Sequence, residues 1–208
     1  MLYDKDIREP LFDFLEEAYG KLRIIEEKQV GKSRADIVMV LPGLLTGIEI
    51  KSDADSYVRL SRQVKDYDRF FDRNMVVAGS SHAAHVREHV PGWWGIITVE
   101  QNDREIDFYV LRQPQENPMM NWKRKLSLLW RPELAHIQEL TAMPRYKEKS
   151  KAFVIEKILA KVPGEQLSVL VSEELFERDY TRIEEVIRAY KIQNRPELKG
   201  RTGKRRRP

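Results

Sequence analysis

Residues 34–67 read RADIVMVLPGLLTGIEIKSDADSYVRLSRQVKDY and decide the fold. Two short apolar runs, 34–41 and 46–51, flank Pro42-Gly43, a dipeptide typical of turns. The run of polar residues that follows supplies several helix N-cap residues. The stretch therefore predicts a β-hairpin that leads directly into a helix.

The register of this hairpin determines which polar side chains meet. With a two-residue loop, Leu41 pairs with Leu44, and counting outward places Asp36 opposite Glu49. Because side chains alternate along a strand, Lys51 lies on the same face as Glu49. A four-residue loop would keep these three residues on one face, whereas a three-residue loop would separate them.

Two carboxylates and one ammonium thus interrupt strands that are otherwise apolar. A solvated salt bridge at a strand end is one interpretation of Asp36, Glu49 and Lys51. Buried charge is costly unless it is paired or bound to a metal, which favours a functional site at this position.

The segment before the hairpin offers a third carboxylate. A strand is predicted over 22–28, and a Gly31-Lys32 turn connects it to the next strand. That turn places Glu27 opposite Asp36, and Glu26 remains the alternative if the register differs.

The helix after the hairpin carries a regular apolar stripe, and Gln63 lies one turn before a tyrosine of that stripe. The stripe consists of Leu60, Val64, Tyr67 and Phe71. A glutamine beside a core stripe needs hydrogen-bond partners, which a substrate could provide. Arg59 and Arg62 could contact phosphates or pair with acidic neighbours on the helix.

The rest of the chain divides into two unlike parts. Strands predicted at 75–78, 94–99 and 104–111 complete a mixed α/β domain over residues 1–112. After a linker at 113–118, the periodicity is helical to residue 194. The predicted helices lie at 122–130, 134–140, 153–162 and 167–176, with a fifth beginning at Thr181. A basic turn at 145–151 could hold phosphate or be solvated.

The basic charge of the chain lies in its last residues. The net charge is +4, and residues 195–208 contribute +6 of it, so the remainder is −2. We expect 195–208 to be a disordered tail that attracts polyanions, or a solubilising end with no partner. The sequence has no cysteine, no apolar run long enough to span a bilayer and no signal-peptide core, so we expect a cytoplasmic protein without membrane contacts.

Asp36, then Glu49-Ile50-Lys51, then Gln63 with Tyr67 four residues later, resemble the motifs of the PD-(D/E)XK nuclease superfamily. The Gln-x-x-x-Tyr element is similar to that of its RecB-like and Cas4-like branches. The resemblance covers about residues 6–110 and looks closest to a poorly characterised bacterial and phage group with a helical C-terminal extension. One departure is Ala35, which replaces the proline of the motif.

The resemblance implies a restriction-endonuclease-like core, in which helices flank a mixed sheet in the order αβββαβ, followed by an all-α region. It also implies a Mg²⁺- or Mn²⁺-dependent nuclease. Asp36, Glu49, the Ile50 carbonyl and Glu27 would bind the metal ion. Lys51 would act on the attacking water, while Gln63 and Tyr67 would position the substrate or the hairpin.

DNA is the partner that this resemblance implies, whether structured or single-stranded. The candidate DNA-binding residues are Arg34, Arg59, Arg62, Arg145, Lys147, Lys149, Lys204, Arg205, Arg206 and Arg207. Residues 1–112 are formally −4, so the basic tail would supply sequence-independent attraction to phosphates. The alternative is a catalytically silent nucleic-acid-binding or regulatory protein that keeps the fold.

Overall fold

A computed structural model describes residues 2–102, 105–179, 189–190 and 192–193 of the chain. The first half contains α1 (Asp4–Tyr19), β1 (Arg23–Val30), β2 (Ser33–Leu41), β3 (Leu44–Lys51), a 3-10 turn (Tyr57–Arg59), α2 (Leu60–Phe70), β4 (Arg73–Gly79), α3 (Ser80–Ala83), a second 3-10 turn (Val86–Glu88), β5 (Gly95–Asn102) and β6 (Glu105–Arg112). The second half contains α4 (Trp122–Leu126), α5 (Arg131–Leu140), α6 (Lys151–Lys161) and α7 (Gly164–Phe176).

The six strands form one mixed sheet in sequence order, from β1 at one edge to β6 at the other. Strands β1, β2 and β3 are antiparallel neighbours, as are β5 and β6, whereas β4 is parallel to both β3 and β5. The helices α2 and α3 lie in the two connections between parallel strands, which require crossovers. The predicted α/β core with a mixed sheet is therefore confirmed.

The turns set the register of the three antiparallel strands. Leu41 pairs with Leu44, which confirms the two-residue loop, and the ladder continues to Ile37 opposite Ile48. Gly43 has a φ of 72°, a left-handed conformation that glycine adopts without a steric cost. The preceding turn at Gly31-Lys32 is also confirmed, because β1 and β2 pair right up to it.

Each face of the sheet is covered by a separate apolar cluster. On one face, Ile7, Leu11 and Leu15 of α1 pack against side chains of the central strands. On the opposite face, α2 and the helices α4 to α7 share a single cluster with the sheet. The predicted domain boundary at residue 112 stays a prediction. The helical half contributes apolar side chains directly to the core beneath the hairpin.

The first predicted helix of the second half is shorter than expected. It ends at Leu126, and Trp130 instead precedes α5, where its backbone N–H donates to Glu133 Oε2 at 2.6 Å. Pro132 marks the start of α5, because proline is favoured in the first turn of a helix, where its missing N–H has no intrahelical partner to lose. The fifth predicted helix and the basic tail lie outside the described residues.

Within the described part of the chain, no helix is both long and apolar enough to cross a membrane.

Candidate functional site

The centre of the candidate site is a buried ion pair on strand β3. Glu49 and Lys51 point to the same face, and Lys51 Nζ donates to Glu49 Oε1 at 2.6 Å. The side chains of Glu49 and Lys51 are only 1% and 4% exposed. Strand β3 lies between β2 and β4, and side chains of α2 contact the pair, so little of either charge is exposed to solvent. The pair is therefore stabilised by the protein itself.

Helix α2 supplies the remaining partners of this pair. Gln63 accepts from Lys51 Nζ at 3.2 Å and donates through its amide to Glu49 Oε1. One turn later, the Tyr67 hydroxyl donates to Glu49 Oε2 at 2.6 Å. Both oxygens of Glu49 thus accept hydrogen bonds, and this carboxylate has a fixed orientation. Burial, reinforced by the negative charges of Glu49 and Asp36, raises the pKa of Tyr67 well above its ordinary value.

Gly47 makes the close approach of α2 possible. A Cβ atom at this position would lie 2.3 Å from the Phe71 ring and 2.8 Å from the Tyr67 ring. Because these distances are shorter than van der Waals contact, any side chain at Gly47 would displace the aromatic rings and with them the Tyr67 hydroxyl.

Asp36 completes the group from strand β2. Its Oδ2 atom accepts from the Ile50 backbone N–H at 2.8 Å, and its own backbone N–H donates to the Tyr67 hydroxyl at 3.1 Å. Burial raises the pKa of Asp36 to about 7, and the negative charge of Glu49 acts in the same direction. The Ile50 N–H and the charge of Lys51 oppose this rise. Asp36 and Glu49 are therefore a strongly interacting acidic pair, as the hairpin register predicts.

Strand β1 is irregular where it passes Asp36. The pairing of β1 with β2 includes Glu26 with Ile37 and Lys28 with Ala35 but omits Glu27 with Asp36. Glu27 has a φ of 52°, which is uncommon for a residue other than glycine. The irregularity frees the backbone of Asp36 from the β1 ladder for its contact with α2.

Arg8, which no sequence motif indicated, joins α1 to the site. Its guanidinium lies 2.8 Å from Glu27 Oε1, 3.1 Å from Glu26 Oε2 and 3.9 Å from Asp36 Oδ1. It also donates to Asp4 at 2.7 Å, an i,i+4 pair that the sequence could have shown. Nothing in the sequence indicated that α1 reaches the hairpin. The predicted third carboxylate, Glu27, is thus paired with Arg8 and, at 2.5 Å, with Arg34.

A cavity of about 380 Å³ opens above these residues. Asp36, Glu49, Lys51 and Gln63 lie on its walls, together with the predicted candidates Glu27, Arg34, Arg59 and Arg62. Arg59, the last residue of the first 3-10 turn, and Arg62, near the start of α2, are exposed. Lys32, which the sequence analysis did not single out, also lines the cavity. The structure therefore gathers an acidic floor and a basic rim in one place.

The other predicted DNA-binding residues lie elsewhere or outside the described chain. Arg145 and Lys147 line a separate cavity of about 150 Å³ beside α5, and Arg145 pairs with Glu139 at 2.5 Å. Lys149 lies 5.7 Å from the Phe153 ring centroid. Residues 204–207 are not among those described.

The site offers carboxylate oxygens, the kind of donor that Mg²⁺ prefers. Among the described residues, no three histidine, aspartate or glutamate side chains converge in a way that could hold one metal ion. Two carboxylates do converge, and the negative charge of Glu49 adds to the effect of burial in raising the pKa of Asp36. Mg²⁺ is commonly held by one or two carboxylates together with water and substrate phosphate, so Asp36 and Glu49 fit such an ion.

Fold and site together define a mixed α/β protein in which a buried carboxylate–lysine group lies beneath an arginine-rimmed cavity. The chain belongs to the bacteriophage P4 protein cII family, whose profile matches residues 1–195. It is 28% identical over 101 residues to protein cII of Enterobacteria phage P4. The aligned segment is 49% of this chain and 38% of that relative, so the chain covers well under two thirds of it.

Among solved structures, SfsA of Pyrococcus furiosus in complex with Ca²⁺ is similar, with 16% identity and a TM-score of 0.34. The match covers 53% of this chain and 62% of SfsA, and a likeness this slight supports no argument about function.

Proposed function

We propose that this protein is a nuclease that hydrolyses phosphodiester bonds with Mg²⁺ or Mn²⁺, with DNA as its substrate in the cytoplasm. One observation carries the proposal: Asp36, Glu49 and Lys51 lie together on the wall of a cavity with a basic rim. The resemblance of these residues, with Gln63 and Tyr67, to PD-(D/E)XK nucleases supports it.

The metal ion, when bound, would polarise the scissile phosphate and make a bound water more acidic. Asp36, Glu49 and the Ile50 carbonyl would hold it, and Glu27 is the proposed further ligand. Gln63 and Tyr67 act through Glu49, because their hydrogen bonds fix its two oxygens.

Lys51 is placed to act on the reacting groups. An ammonium has three N–H donors, and two of them have acceptors in Glu49 and Gln63. The remaining N–H is available to a phosphate oxygen or to the attacking water. The buried position of Lys51 also keeps its charge unscreened by solvent.

The rim of the cavity would bring the phosphate backbone to this group. Arg59 is exposed in the turn before α2, Arg62 is exposed on α2, and Arg34 is 66% exposed on β2 despite its pair with Glu27. Three arginines around an acidic floor can bind flanking phosphates while the floor stays negative for a cation. The tail at 195–208 would add sequence-independent attraction.

A second candidate function is nucleic-acid binding without cleavage. The observation that favours it is the saturation of Glu49, whose oxygens accept from Lys51, Gln63 and Tyr67. In this alternative, the polar group is a structural centre and the basic rim binds phosphate for a regulatory purpose.

Cleavage of a panel of labelled DNA and RNA structures with Mg²⁺ or Mn²⁺ tests the proposal. We expect the wild type to cut DNA, and Asp36→Asn and Lys51→Met to abolish cutting while keeping the fold. Glu100→Gln, an exposed carboxylate on β5, is the matched control and should keep full activity.

Calorimetric titration with Mg²⁺ separates the roles, because Asp36→Asn should lose cation binding and Lys51→Met should keep it. Binding of nucleic acid with no cleavage of any substrate would instead establish the second candidate. Full activity in both site variants would refute the proposed site.

A further inference from the structure

A group of cations lies between the edge strand β1 and the helical half, outside the cavity described above. We refer to it as the junction cluster, and it consists of Lys28, Arg131, Lys151 and Arg178. Lys28 is on β1, Arg131 and Lys151 are the first residues of α5 and α6, and Arg178 follows α7.

Trp130 brings two of these cations together. The Arg178 guanidinium lies 3.6 Å from the centroid of the Trp130 ring, and Lys28 Nζ lies 5.6 Å from the same centroid. The Lys151 ammonium donates to the Ser127 carbonyl at 2.7 Å, and Arg178 donates to the next carbonyl, that of Leu128, at 3.1 Å.

Glu133 is a carboxylate within the junction cluster, and Arg178 forms an ion pair with it. Arg178 binds Glu133 through Nε at 2.7 Å and through Nη2 at 2.6 Å. The backbone N–H of Trp130 donates to the same carboxylate. The charge of Glu133 is therefore matched by Arg178.

In the part of the chain that the structure describes, the other three cations have no carboxylate of their own. Within the described ranges, Lys28, Arg131 and Lys151 form no ion pair, and the buried Nη1 atoms of Arg131 and Arg178 have no hydrogen-bond partner. Burial lowers the pKa of Lys151, and Arg178 and Arg131 contribute to the lowering against the effect of Glu133. Half-buried cations without counter-ions are costly, so the junction cluster is suited to an anion.

We propose that the junction cluster binds a phosphate group, through Lys28, Arg131 and Lys151, which are partly exposed, in the field of the buried Arg178. Guanidinium and ammonium groups together are well matched to phosphate oxygens. Lys28 directly follows Glu27, which lines the candidate site, so a nucleic-acid strand leaving the cavity over the edge of the sheet meets this cluster. The inference goes beyond the proposed nuclease activity and does not require cleavage.

The first experiment measures binding of a labelled single-stranded oligonucleotide in EDTA, so that no cleavage can occur. We expect the double variant Lys28→Gln/Lys151→Gln to weaken binding by roughly tenfold, because charge-assisted hydrogen bonds are lost. The double variant should also lose one phosphate contact, which flattens the slope of log affinity against log salt by about 0.7. Lys157→Gln, an exposed cation of the same helix α6, is the matched control.

The second experiment measures the melting temperature in inorganic phosphate and in chloride at equal ionic strength. We expect phosphate to stabilise the wild type and Lys157→Gln, but not the double variant. Stabilisation by phosphate with unchanged oligonucleotide affinity would assign the site to free phosphate, and the reverse would assign it to the nucleic-acid backbone.

The proposal is overturned if the double variant Lys28→Gln/Lys151→Gln matches Lys157→Gln both in its affinity for the oligonucleotide and in its stabilisation by phosphate. Circular dichroism of the double variant confirms that it folds. Loss of cleavage with an intact phosphate effect would count against the nuclease activity and leave the junction site standing.

Discussion

The hydroxyl of Tyr67 joins the two strands of the candidate site, and its removal in Tyr67→Phe is a direct test of that geometry. The hydroxyl donates to the Glu49 carboxylate at 2.6 Å and accepts from the Asp36 backbone N–H at 3.1 Å. A hydrogen bond to a charged group contributes about 1.5–3 kcal/mol, and a buried donor left without an acceptor costs about 1–3 kcal/mol. These effects overlap, so we expect Tyr67→Phe to lower the free energy of unfolding by about 2–4 kcal/mol.

Tyr57→Phe is a matched control for this substitution. The Tyr57 hydroxyl donates to the His82 carbonyl at 3.0 Å in a partly exposed position, with no charged partner. A neutral hydrogen bond contributes about 0.5–1.5 kcal/mol, so from the midpoints of the two ranges Tyr67→Phe should cost about 2 kcal/mol more than Tyr57→Phe. Both changes remove one oxygen atom and keep the ring.

Urea unfolding followed by circular dichroism measures both variants, and an unchanged m-value would show that the compactness of the two states is unaltered. A double-mutant cycle with Glu49→Gln isolates the contact, and we expect a coupling of about 1 kcal/mol or more between the two positions. If Tyr67→Phe costs no more than Tyr57→Phe, the hydroxyl does not hold the carboxylate and the reasoning about the site fails.

Four further perturbations test other parts of the structure. Gly47→Ala should lower stability by about 1–3 kcal/mol in urea unfolding, since its Cβ would collide with an aromatic ring at 2.3 Å. Lys125→Ala should cost about 3–5 kcal/mol by the same assay, because it leaves Asp72, 2.7 Å away and nearly buried, without its cation. Burial raises the pKa of Asp68 above 3.8, so the stability of the wild type should fall relative to Asp68→Asn as pH rises above about 4. Deleting residues 195–208 should leave melting unchanged and flatten the salt slope of duplex DNA binding by about three units if half its basic groups contact phosphate.

The hairpin could be predicted from the sequence because its determinants are local. A Pro-Gly turn and a Gly-Lys turn fix the registers, and the register decides which side chains share a face. The shared face of Asp36, Glu49 and Lys51 follows from this register together with the alternation of side chains along each strand. Gln63 and Tyr67 follow from the spacing of one helical turn.

The features that escaped prediction depend on contacts between distant segments. Arg8 reaches Asp36 only because α1 packs on one face of the sheet while its side chain extends over the edge of the hairpin. The left-handed backbone conformation of Glu27 could not be predicted from the sequence, because residues other than glycine ordinarily avoid it. Trp130 was expected at the end of a helix, yet its ring packs against the Arg178 guanidinium. Arg178 lies 48 residues later in the chain, and no periodicity of the sequence connects the two positions.

The distribution of cations explains why Asp36 is the residue that separates the two proposed functions. The Lys51 ammonium lies 2.6 Å from the Glu49 carboxylate, and the Arg8 guanidinium lies 2.8 Å from that of Glu27. The same guanidinium is farther from Asp36, at 3.9 Å. Each of the other two carboxylates therefore has its own cation in contact, while Asp36 has a backbone N–H and a distant guanidinium. Burial and the charge of Glu49 accordingly raise the pKa of Asp36 to about 7. Neutralising this carboxylate in Asp36→Asn should stabilise the free protein under either proposal, because the repulsion within the acidic pair would vanish, and only a cation-binding centre should also lose its activity. A cation-binding centre keeps the repulsion in the free protein because the same charge is needed when the cation is bound. A variant that is more stable and yet inactive is thus the result that the nuclease proposal requires.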